Sequence, residues 1–63
     1  MEKLVYNVTE VSEILGISKS MVYHLAKEKK IPVLELGKRK VFPILALENW
    51  IQENMKEFMD KPL

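Results

Sequence analysis

The spacing of apolar residues changes twice along the chain, and each change marks an element. Val8, Val11, Ile14 and Leu15 share one stripe of 3.6-residue period, as do Val22, Leu25 and Ala26. Two short helices are predicted, from about Val8 to Leu15 and from Lys19 to about Glu28–Lys30. Asn7 stands three residues before Glu10, a capping box with Asn in the capping place, and Tyr6 is placed to staple back on Val11. Gly16 stops the first helix by tolerating a left-handed backbone, and Ser18 caps the second. Ile17 plugs the turn between them. Pro32 disfavours helix at Ile31. Before all this, Val5 and Tyr6 form either a short edge strand or a packed lead-in.

From Val33 the period shortens. The stretch "VLELGKRKVF" reads as a hairpin with its tip at Gly37-Lys38-Arg39. Leu34, Leu36 and Phe42 are expected to face the core, with Val33 and Glu35 outward. Pro43 marks the exit. A third helix follows to about Phe58, its apolar stripe formed by Leu47, Trp50, Ile51, Met55 and Phe58. Glu48, Asn49, Gln52, Glu53 and Lys56 are expected in water, and the tail "DKPL" is expected to fray. The fold class is therefore α+β: three helices with a β-hairpin between helices 2 and 3.

Sixty-three residues, 48% of them hydrophobic, bound this to one domain over 1–63 with its core in 6–58. A chain this short is marginally stable and leans on a compact apolar core. It has no Cys and one His, so neither a disulfide nor a zinc site is expected, and no cofactor. No apolar run approaches the roughly 18 residues of a membrane span. The acidic start "MEKLVYNVTE" does not resemble a signal peptide, so a soluble, cytoplasmic protein without membrane contact is expected.

Net charge is only +1, but it is segregated. Residues 1–18 carry net −2, residues 19–40 net +5, and residues 41–63 net −2. A basic middle between acidic ends suits a one-sided polyanion site; an unevenly charged solvated surface is the alternative. Helix, glycine turn, capped helix is the helix-turn-helix pattern. A helix about 10–12 Å across fits a DNA major groove about 12 Å wide. Ser20, Tyr23, His24 and Lys27 lie opposite the core stripe of the second helix, with Met21 at the border, expected to pack. Ser18 and the free N–H groups of the first turn suit a phosphate, beside Lys19. The basic loop Lys38-Arg39-Lys40 would then act as a wing on an adjacent backbone or minor groove.

These motifs, "LGISKSMVYHLAKEKKIP", "LGKRKVFP" and "ALENWI", taken in this order, resemble the excisionase-type helix-turn-helix domains, small relatives of the winged MerR-type DNA-binding domain. The resemblance covers about Tyr6 to Ile51. It implies that Lys19, Ser20, Tyr23 and His24 face the major groove and that Lys38 and Arg39 sit on the wing. It further implies an accessory factor of a mobile element or phage that bends DNA and biases a recombinase toward excision; the chain's stand-alone length fits this role. Relatives often carry Gly where Lys29 stands, so the second helix is expected to close differently here. Relatives also often carry Arg where His24 and Val41 stand, and Arg would contact guanine bidentately.

Other readings stay open. A small transcriptional regulator would use the same surface. A protein-interaction adaptor would dock a recombinase, or a second copy on DNA, through the third helix or through Met55, Phe58 and Met59. Taken singly, Lys19 and Lys27 are ordinary exposed lysines, Ser18 is first a cap, and Trp50 is core. An enzyme is not expected: Glu10 is a cap partner rather than half of a carboxylate pair, and there is no glycine-rich phosphate loop.

Overall fold

The computed structural model describes residues 2–59, with side chains through residue 55. Its elements are β1 (Val5–Tyr6), α1 (Val8–Leu15), α2 (Lys19–Lys27), β2 (Leu34–Leu36), β3 (Arg39–Pro43) and α3 (Ile44–Met59). The strands form one antiparallel sheet in the order β1-β3-β2. Val5 and Tyr6 are thus a true edge strand, paired with Pro43 and Phe42. The Ile44 N–H donates to the Leu4 carbonyl at 3.0 Å and carries the ladder to the foot of α3.

Local chemistry sets the helix ends. The Glu10 N–H donates to Asn7 Oδ1 at 2.8 Å, and the Asn7 N–H donates to Glu10 Oε1 at 3.0 Å, completing the capping box. The Lys3 ammonium also binds the Glu10 carboxylate and ties the N-terminal arm to α1. Gly16 takes φ 68°, ψ 32°, and the Ile17 N–H donates to the Ser12 carbonyl at 3.0 Å. Ser18 Oγ accepts from the Met21 N–H at 3.1 Å.

The end of α2 corrects the expectation for Lys29. The Lys29 N–H donates to the Ala26 carbonyl at 3.0 Å, and the Lys30 N–H to the Leu25 carbonyl at 2.9 Å. That is a Schellman closure, with Lys29 in its left-handed position at φ 56°. The helix therefore closes as a glycine-bearing one would. Lys29 carries the strain of a Cβ in a region where side chains crowd the backbone.

The core is one cluster of Val8, Val11, Val22, Ala26, Ile31, Phe42 and Leu47. Tyr6, Leu15, Ile17, Leu25, Val33, Trp50 and Ile51 pack against it. The α1 and α2 stripes meet through Val11, Val22 and Ala26, each fully buried, while Phe42 on β3 fills the space beneath them. Trp50 is a packing residue, as its spacing predicts.

Several facings differ from the sequence pattern. Ile14 is 48% exposed, because at about 100° per residue it falls roughly 90° from the direction of buried Val8 and Val11, while Leu15 in the same turn packs on the core. Met21 is 47% exposed and does not pack at the border of α2. In β2 the phase is opposite to that expected: Leu34 and Leu36 are exposed, while Val33 packs inward just before the strand. The register explains this. Leu34 pairs with Val41 and Leu36 with Arg39, so these residues share the sheet face opposite Phe42. Met55 is 53% exposed, since α3 outruns the sheet it packs on after Ile51. Glu48, Asn49, Gln52 and Glu53 face solvent as expected. The expectations for the side chains of Lys56, Phe58 and Met59, and for the "DKPL" tail, lie outside the described residues.

Two measurements test this account. Lys29→Gly relieves the left-handed strain, partly offset by glycine's greater unfolded-state freedom, and should stabilise by about 0.5–1 kcal/mol. Thermal unfolding should rise by about 2–8 °C; an unchanged or lower midpoint would refute the strain. Glu10 titrates below the ordinary carboxylate range, held there by the Lys3 hydrogen bond first and the Asn7 N–H second, against a small opposing desolvation. Its folded pKa is depressed. Its contribution is therefore present above the unfolded carboxylate value and is lost as pH falls through the folded one. Glu10→Gln should flatten the acid limb of a stability-against-pH curve, and a limb of unchanged steepness would count against the box as drawn.

Candidate nucleic-acid interface

The burial of Val22 and Ala26 dictates what α2 shows to solvent. At about 100° per residue, His24 falls opposite their mean direction, with Ser20 and Lys27 beside it and Tyr23 on the flank toward α1. All four are exposed, Tyr23 by 52%, as are Ser18 and Lys19 at the N-terminal end. The outward placement expected for this set is what the fold produces. His24 and Lys27 stand in the last turn, where the negative end of the helix favours cations. His24 Nε2 lies 3.2 Å from Glu28 Oε1, and Lys30 Nζ lies 3.2 Å from the same oxygen.

The hairpin brings its bases up to α2, though not as a single loop. Only Gly37 and Lys38 form the turn, because Leu36 already pairs with Arg39. Gly37 has φ 62° and Lys38 is not left-handed, which fits a two-residue turn with glycine first. Arg39 is thus the first residue of β3 rather than part of the tip. Lys40 follows it in the strand, so the two side chains leave on opposite faces. Lys40 pairs with Glu35 on the Phe42 face and is half-buried.

A groove of about 320 Å³ joins the pieces, lined by Asn7, Val8, Thr9, Tyr23, Lys38, Arg39 and Lys40. It gathers Tyr23 and the three wing bases. It does not include Ser18, Lys19 and Ser20 at the start of α2, or His24 and Lys27 on its outer flank. Among the described residues no carboxylate lines it, and Glu10 is turned to Lys3 and the Asn7 N–H. Asn7, Val8 and Thr9 are absent from the set chosen on sequence. Thr9 is polar, exposed and opposite the buried stripe of α1, but only the packing of α1 against β3 carries it to the wing.

Chemically, this surface offers hydroxyls (Ser18, Ser20, Tyr23, Thr9), one imidazole and a set of fixed cations, on a convex helix beside a grooved hairpin. That is equipment for holding a polyanion. Among the described residues no group of three or more His, Cys, Asp or Glu is placed to hold a metal ion, and no helix is long and apolar enough to cross a membrane.

No curated protein and no solved structure gives a significant match to the chain. The model of a helix-turn-helix domain family matches residues 5–55, which takes in β1, both helices of the motif, the hairpin and most of α3. With a glycine turn, a capped second helix whose outer flank is free, a hairpin whose bases share a groove with Tyr23 of that helix, and a family match over most of its length, the chain belongs to the helix-turn-helix domain family, a family of DNA-binding domains.

Proposed function

We propose that this domain binds double-stranded DNA sequence-specifically, with α2 in the major groove and the hairpin as a wing against the neighbouring backbone. One observation carries the reading: the flank of α2 opposite the core is exposed throughout, and a groove lined by no carboxylate among the described residues links Tyr23 to Lys38, Arg39 and Lys40. Lys19, Ser20, Tyr23 and His24 meet base edges, near the helix N-terminus and along its outer flank. Ser18, Lys27 and the wing bases hold phosphates and set the register. The role is binding rather than catalysis, needs no cofactor or metal, and is exercised in the cytoplasm.

In the cell the domain serves as an excisionase-like accessory factor of MerR-like winged type, for a mobile element or phage. It occupies adjacent sites and biases a recombinase. Support for this comes from the order and spacing of "LGISKSMVYHLAKEKKIP", "LGKRKVFP" and "ALENWI". A small transcriptional regulator would use the same surface. The two part on context: clustered sites at the end of an element, beside an integrase gene, favour excision. An adaptor role has one observation of its own, the exposure of Met55 beyond the packed Leu47, Trp50 and Ile51, where a recombinase or a second copy would dock.

Binding to duplex DNA should weaken with salt, log affinity falling by about 0.9 per phosphate neutralised for each tenfold rise in salt. Replacing Lys38 and Arg39 with Ala should weaken all duplexes alike and lower that slope by about one to two units. A wing variant with the parent's slope would remove the hairpin from the interface. Lys19→Ala or Tyr23→Phe should instead change the motif recovered from a random duplex pool. If no duplex binds at low ionic strength, the reading as a whole fails.

A further inference from the structure

On the reading of α2 as a major-groove helix, we infer that Glu28 determines specificity, selecting an amino-bearing base, cytosine first, at the far end of the site. Glu28 is the sole carboxylate between Ser18 and Lys30. It is exposed, one turn beyond His24 on the same outer flank, rotated from it by about 40° around the helix axis. Its backbone remains helical (φ −85°, ψ 0°), so its side chain leaves in step with those of Ser20 and His24.

A carboxylate on a basic surface is costly against phosphates unless a donor meets it. Two cation-forming groups hold this one in place, His24 Nε2 and Lys30 Nζ, each 3.2 Å from Oε1. These partners do not saturate it, since a carboxylate offers about four acceptor sites over two oxygens. In the major groove cytosine presents a 4-amino donor and adenine a 6-amino donor. Guanine presents N7 and O6, and thymine O4, all acceptors that repel a carboxylate. Glu28 thus favours one half of the base alphabet and rejects the other. It also withholds Lys30 from phosphates, which lowers affinity for unrelated DNA. Discrimination of this kind needs a repulsive element as well as an attractive one. Around it α2 exposes lysines, hydroxyls, one imidazole and Met21, but no second carboxylate.

The geometry also fixes where the effect falls. From Ser20 to Glu28 the axial rise is about 12 Å, or about three to four base pairs for a helix lying along the groove. The test is selection from a random duplex pool with the parent chain, Ser20→Ala, Glu28→Gln and Lys30→Gln, together with anisotropy titrations on an unrelated duplex. Glu28→Gln should lose one cytosine-rich position while keeping the rest of the motif. That position should lie about three to four base pairs from the one altered by Ser20→Ala. The same variant should bind unrelated duplex about two- to fivefold more tightly, the size of one exposed charge. Lys30→Gln should keep the cytosine position, because the carboxylate remains. A Glu28→Gln motif identical to the parent's at every position would overturn the role of Glu28 alone. So would loss of the same position in Lys30→Gln. A parent chain that selects no motif and binds no duplex would overturn both this inference and the DNA-binding reading beneath it.

Discussion

The molecule depends on the burial of Phe42. β3 is the central strand, paired on one edge with β1 and on the other with β2, and α1 and α3 both pack on it. Phe42 is the point where these contacts converge, fully buried among Val11, Val22, Ala26 and Leu47. Burying such a side chain contributes roughly 1.5–3 kcal/mol. A domain of this size has only about 3–9 kcal/mol of stability in all. One aromatic ring is therefore a large share of what holds α1 and α2 against the sheet.

That burial has a geometric consequence for function. Once Val22 and Ala26 are drawn onto the core, the helical period leaves no choice about Ser20, His24 and Lys27: they face solvent. The hairpin arm that carries Phe42 also carries Arg39 and Lys40. A single strand thus anchors the core at one end and presents the wing bases at the other. Tyr23 marks where the two surfaces meet, lining the groove from the α2 side while Lys38, Arg39 and Lys40 line it from the hairpin.

Affinity and selectivity are divided unevenly over this surface. On the proposed reading, the cations would supply attraction to any phosphate backbone, which carries no sequence information. Selectivity would then rest with the few side chains on α2 able to make or refuse contacts with base edges. Lys29 is strained, yet it sits past the end of α2 and off this flank, exposed beside Ile31 and Val33. Its strain therefore belongs to chain closure rather than to recognition.

The α1–turn–α2 unit was legible from residues alone, because its determinants are local. Asn7 with Glu10, Gly16 and Ser18 fix helix ends through partners three to five residues away, and the stripes Val8–Val11 and Val22–Ala26 need only the helical period. The outward set on α2 followed from the same period. The family model over residues 5–55 supports the helix-turn-helix reading reached from those signals, though not the excisionase role inferred from resemblance. What the chain could not disclose by itself depended on partners distant in sequence. The phase of Leu34 and Leu36 was set by pairing with Val41 and Arg39, and a strand with leucines on one face and valine on the other is apolar on both. The exposure of Met55 depended on how far the sheet extends beneath α3, and that of Ile14 on how wide a stripe of α1 the core covers. The meeting of Thr9, Tyr23 and the wing bases came only with packing, which brings together residues 14 to 31 positions apart along the chain. Periodicity states which side of an element is apolar; only the assembled sheet decides how much of that side is covered.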